Sequence, residues 1–123
     1  MNSKWIALGA FWAALAVGLG AFGAHGLKSI VAPEQLETWH TAVLYHVFTA
    51  LGLVLYGLFR ALRASRGLGG ALLLAGSVGF SGSLYAWVLG GPHWVVFVTP
   101  VGGAVLIAGW LAFAWEAWRA RAA

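Results

Sequence analysis

The residues best equipped for chemistry in this chain are its four histidines, His25, His40, His46 and His93. Neutral imidazole can ligate a metal, hold a haem or hydrogen-bond a quinone, and it can pass a proton. Spacing weighs against the first two. His40 and His46 lie about 120° apart round a helix, so they do not form the i, i+4 pair a helical ligand set uses. Apart from Glu116, near the far end of the last apolar stretch, no carboxylate stands by in those stretches to orient an imidazole, as metal-bound histidines usually require. The chain has no cysteine, which removes thiolate zinc sites and iron–sulfur clusters. Neither a metal nor a cofactor is expected. His25, His40 and His93 read as interfacial residues that anchor loops and first turns by hydrogen bonds. His46 differs, because it lies about 9 Å further along its helix than His40. An imidazole at that depth needs a partner on another helix. Tyr85 and the Ser81–Ser83 turn are the partners expected, with the segment of Trp94 covering the pocket. The candidate polar or ligand-binding cluster is therefore His25, His40, Tyr45, His46, Ser81, Tyr85, His93 and Trp94.

Apolar spans must position these groups. The stretch from Trp39 to Phe59 contains no charged residue, and about 20 helical residues cross roughly 30 Å of hydrocarbon. Similar runs occupy positions 5–24, 68–89 and 100–118. Apolar residues make up 62% of the chain and charged ones 8%, a composition whose solvent must be lipid. The net charge of +4 does not indicate nucleic acid, because the basic residues sit in short clusters beside spans. The first run is longer than the roughly 7–15 apolar residues of a signal peptide, so a retained helix is expected.

The boundaries carry their own signals. Gly26 suits a helix C-terminus. Pro33 suits a first turn, with Glu34 and Glu37 near the positive end of the dipole, so the second helix is expected from about Pro33 to Arg63. Thr99-Pro100 reads as a cap and first helical residue, starting the fourth helix at Pro100 after an extended or interfacial piece; the alternative is one helix from Pro92 kinked at Pro100. Stripes of small residues at Ala10–Ala14–Gly18, Ala16–Gly20–Ala24, Ala75–Gly79–Ser83 and Ala104–Ala108–Ala112 are expected to pack helix on helix. Leucine at Gly18 or Gly79 should then destabilise the bundle. Ser77 and Ser81 are expected to bond the carbonyl four residues back or, less commonly, a neighbouring helix. Glu116, Arg119 and Arg121 are assigned to the headgroup region.

Charge sets orientation. Lys4, Arg60, Arg63, Arg66, Arg119 and Arg121 fall on one side of a four-span chain and Lys28 on the other, so both termini are expected in the cytoplasm. Trp5, Trp115 and Trp118 form one aromatic belt in this reading, and Trp39, Trp87 and Trp94 the other. The fold expected is an all-α, up-down-up-down four-helix bundle in the bacterial cytoplasmic (inner) membrane, as a single domain.

GAFGAHGL (20–27), ETWHTAVLYH (37–46), GFSGSLY (79–85) and TPVGGAVLIAGW (99–110) together resemble the YgdD/YwdK-like small inner-membrane proteins. That family is a domain of unknown function with a relative in eukaryotic organelles. The resemblance covers nearly the whole chain and implies a four-helix membrane protein without an established activity. In that family the second helix often carries a histidine four residues after the tyrosine matching Tyr45, where this chain has Thr49.

No catalytic residue is expected: the serines lack a general base, and the glycines lie inside apolar helices instead of after a strand. The role expected is a non-enzymatic component, in contact with membrane lipids, that packs with itself or a partner through small-residue faces. Binding or transport of a quinone or lipid at the histidine and aromatic cluster is the alternative, and haem binding a third.

Overall fold

The computed structural model describes residues 4–63 and 67–120, so the expectations for Arg66 and Arg121 lie outside the described residues. Four helices follow in order: α1 Lys4–Ala24, α2 Pro33–Leu62, α3 Leu68–Val88 and α4 Val95–Arg119, with a short 3-10 turn at Leu27–Ser29. All four are long and apolar enough to cross a membrane. Successive helices run antiparallel. Ile6 meets Gly57 and Trp39 meets Gly23 across α1 and α2, and Leu106 meets Gly76 across α3 and α4. The loops at residues 25–32 and 89–94 mark a histidine end, and the two chain ends mark a terminal end.

The helices do not share the burial equally. Nine residues of α2 and eight of α3 are buried, against three of α1 and four of α4. The second and third helices form the centre, and α1 and α4 flank them on opposite sides. Two apolar clusters hold the centre: Leu53, Leu73 and Leu106 near mid-span, and Leu27, Trp39 and Val88 at the histidine end. Leu27 projects from the 3-10 turn and is fully buried. Burying such a side chain contributes about 1.5–3 kcal/mol against water, which here holds the loop down onto the bundle end.

Helix boundaries follow their local chemistry. Ala32 is extended and Pro33 opens α2, where a missing N–H is harmless. Leu89 ends α3, and Gly90 turns left-handed at φ +91°. The Gly91 N–H donates to Ala86 and the Gly90 N–H to Trp87, satisfying carbonyls the helix leaves open. Gly26 does not cap α1 in that way, because it stays right-handed at φ −72°. Its value is space: a Cβ there would lie 2.9 Å from the Phe22 ring.

Two sequence expectations are corrected here. The fourth helix starts at Val95, five residues before Pro100, and carries that proline inside it. The N–H groups of Val95, Val96 and Phe97 bond three residues back, to Pro92, His93 and Trp94. Helix is therefore under way before Pro100, which removes one hydrogen bond early in the element instead of starting it. The second correction concerns which small residues pack. Gly18 has nothing within 4 Å of an added Cβ, and Ala10 and Ala14 are exposed beside it. On α1 the buried set is Gly9, Ala16 and Gly23. On α4 it is Gly102 and Gly109 with Leu106, while Ala104 and Ala108 face outward. On α3 Ala75 faces outward, whereas Gly79 would bring a Cβ to 3.2 Å from Gly102 Cα.

Candidate functional site

Polar side chains reach from one helix to another, and they divide between the two ends of the bundle. Toward the histidine end, His46 Nδ1 and the Tyr85 hydroxyl are 2.8 Å apart, joining α2 to α3. The Trp12 ring lies against His46 at 4.2 Å between centroids. Its indole N–H donates to Ser77 Oγ at 2.8 Å, which brings α1 onto α3. Ser81 donates to the Ala42 carbonyl at 2.8 Å. Ser83 and Thr99 pair through their hydroxyls, joining α3 to α4. Ser77 and Ser81 thus both work across helices, the less common of the two expected arrangements.

Why these groups meet is a matter of depth and lipid. A polar group in hydrocarbon has no water to bond, so each must find its partner inside the protein. His46, Ser77 and Ser81 are fully buried. Nε2 of His46 is buried without a hydrogen-bond partner. One ring nitrogen is thus engaged by Tyr85 and the other is enclosed by protein.

The eight residues singled out in the sequence separate into groups. His46 and Tyr85 come together as the depth argument expects, while Ser81 bonds the Ala42 carbonyl and not the imidazole. His25 and His40 are exposed and do not join them. His93 is also exposed and packs edge-on against Trp87 and Phe97, at 5.8 and 5.6 Å. Tyr45 turns to another side of α2, where it meets Phe80 at 5.1 Å. Trp94 does not cover the pocket, because it is 63% exposed. Trp39 covers it instead. That indole, expected in an interfacial belt, is fully buried, lies 4.7 Å from the Tyr85 ring and donates to the Leu19 carbonyl at 2.8 Å. Thr49 is buried and donates to the Tyr45 carbonyl at 2.8 Å, a bond within its own helix.

Sequence reasoning missed Trp12, Ser77 and a second polar knot at the terminal end. There the Tyr56 hydroxyl donates to Glu116 Oε1 at 2.6 Å and the Gly69 N–H to Oε2 at 2.7 Å. Assigned to the headgroups by its position, Glu116 in fact binds α4 to α2 and to the first turn of α3. Trp5 and Phe113 pack edge-on against Tyr56 at 5.6 and 5.0 Å. One signal was available: a phenol near one end of a span, and an indole N–H within another, each need a polar partner. Among the described residues no three His, Asp or Glu side chains converge on a metal-sized site.

Four membrane-length helices tied by buried polar pairs define a small polytopic helical membrane protein. Residues 19–103 match the family described as "Protein of unknown function (DUF423)", and the chain belongs to that family. It is 46% identical over 111 residues to the UPF0382 membrane protein YwdK of Bacillus subtilis, covering 86% of this chain and 89% of the relative. A UPF0382 membrane protein of Haemophilus influenzae is 32% identical over 123 residues, 98% of each chain. One from Schizosaccharomyces pombe is 38% identical over 107 residues, covering 78% of this chain and 86% of the relative. No solved structure matches. The family match contains His46, Ser81, Tyr85 and Thr99, while Trp12 and Glu116 lie outside it.

Proposed function

We propose that the protein is a non-enzymatic component of the bacterial cytoplasmic membrane that associates laterally with a second copy of itself, both termini facing the cytoplasm. The basic residues Lys4, Arg60, Arg63 and Arg119 at the terminal end support that orientation. One observation carries the association. Ala10, Ala14 and Gly18 of α1 face away from the bundle with nothing packed on Gly18, whereas the outward Ala104 of α4 lines a groove. In lipid, a small-xxx-small stripe lets a second helix approach closely, and packing replaces the hydrophobic effect as the adhesive. The polar interior supports the non-enzymatic part, since its hydroxyls, indoles and imidazole are engaged in holding helices.

The chain's lack of cysteine makes the test clean. Gly18→Cys and Ala14→Cys, oxidised in native membranes, should give a disulfide-linked dimer in severalfold higher yield than Leu44→Cys and Leu55→Cys, which stand exposed on α2. Equal yields at all four positions would remove the association reading.

A further inference from the structure

Between α2 and α4, floored by α3, runs an apolar groove of about 840 Å³. Pro100, Ile107 and Trp110 line one side, Tyr45 and Phe48 the other, and Phe80 the floor. Its origin lies in the glycines. Gly102 lets α4 sit on the Phe80 backbone and Gly109 lets it sit on Leu73, so α4 is drawn onto α3. The fourth helix crosses to α2 nearer the terminal end, where the Trp110 ring lies 2.6 Å from a Cβ built on Gly52 and Phe113 meets Tyr56. The groove is therefore open along its side and stopped at one end by an indole.

We propose that this groove binds one acyl chain of a phospholipid from the leaflet at the histidine end, and that Trp110 sets how far the chain enters. Length is the first argument. Pro100 to Trp110 is about 15 Å of helix, half of the roughly 30 Å hydrocarbon core, so the groove matches one leaflet. The second is chemistry. Inside the groove the Thr49 hydroxyl is already bonded to the Tyr45 carbonyl, and His46 is turned to Tyr85. Among the lining side chains that leaves one hydroxyl, that of Tyr45, too few to hold both carbonyls of a quinone ring, whereas an acyl chain asks only for apolar contact. Third, the rims expose Phe48 and Ile107, at 57% and 64%, on either side of the opening. A chain lying between them covers both. This binding site stands independently of the lateral association, which uses the opposite flank of the bundle.

The full-length protein is reconstituted in vesicles containing phosphatidylglycerols of short, intermediate and long chains together with a long-chain isoprenoid quinone. It is then released into mild detergent, and the molecules that remain bound are weighed by native mass spectrometry. A single phospholipid per chain should persist. Ala104→Trp, which projects into the groove, should lower the retained fraction about tenfold. If that variant does not fold, Ile107→Trp fills the groove from its rim and carries the same expectation. Trp110→Ala should keep the phospholipid and shift the selected chains to longer ones. Retention of the quinone in preference, or undiminished phospholipid in the folded groove-filling variant, would overturn the site. An unchanged chain-length distribution in Trp110→Ala would overturn the stop.

Discussion

Glu116 shows how much one side chain can do at the edge of a bilayer. Both its oxygens are engaged, one by Tyr56 and one by the Gly69 N–H, and Tyr56 is fully buried. Removing the carboxyl takes away the acceptor of a buried phenol hydroxyl and frees an N–H of the first turn of α3. Hydrogen bonds to charged groups contribute about 1.5–3 kcal/mol, and the partly exposed position of Glu116 argues for the lower end. Glu116→Ala should therefore lower unfolding stability in detergent by about 2 kcal/mol. Glu116→Gln, which keeps an acceptor for Tyr56, should lose about half of that. Equal stability of both variants and the native chain would mean that the knot is unimportant to folding.

Among the elements, α4 separates what sequence pattern reveals from what only contact reveals. Its alanine stripe looks like a packing face, yet Ala104 and Ala108 point outward, and Gly102 and Gly109 carry the contact with α3. A Cβ on Gly102 would collide with the Phe80 backbone, and backbone cannot swing aside. Gly102→Ala should accordingly lower the unfolding free energy by about 1–3 kcal/mol, the range of overpacking, while Gly18→Leu should leave the monomer's stability unchanged. The four membrane-length helices, their antiparallel order and the start of α2 at Pro33 were legible, because run length and helix-start chemistry act locally. Depth also worked, bringing His46 to Tyr85 across 39 positions of sequence. Rotation about the helix axis was not legible. In an apolar helix small and large residues occur on every side, so no hydrophobic face marks the inward direction, and two of the four stripes were assigned to the wrong side. Pro100 misled for a related reason, since the helix that surrounds it is fixed by packing and not by its own start signal.

At the scale of the molecule, the polar pairs form ties that between them reach all four helices. Trp12 with Ser77 brings α1 onto α3, His46 with Tyr85 and Ser81 with Ala42 join α2 to α3, and Ser83 with Thr99 joins α3 to α4. In a solvent as apolar as leucine, helices gain little from hydrophobic burial, and close packing with such hydrogen bonds must supply the cohesion. On the reading proposed above, His46, the one deep histidine, belongs to this system of ties and takes no part in a reaction. A double-mutant cycle of His46→Phe and Tyr85→Phe, read by reversible unfolding in detergent micelles, tests it most directly. Each single change should destabilise, the pair should be no less stable than the worse single, and the coupling should be about 0.6–1.7 kcal/mol. Strictly additive effects, or full stability accompanied by loss of a bound molecule, would contradict it.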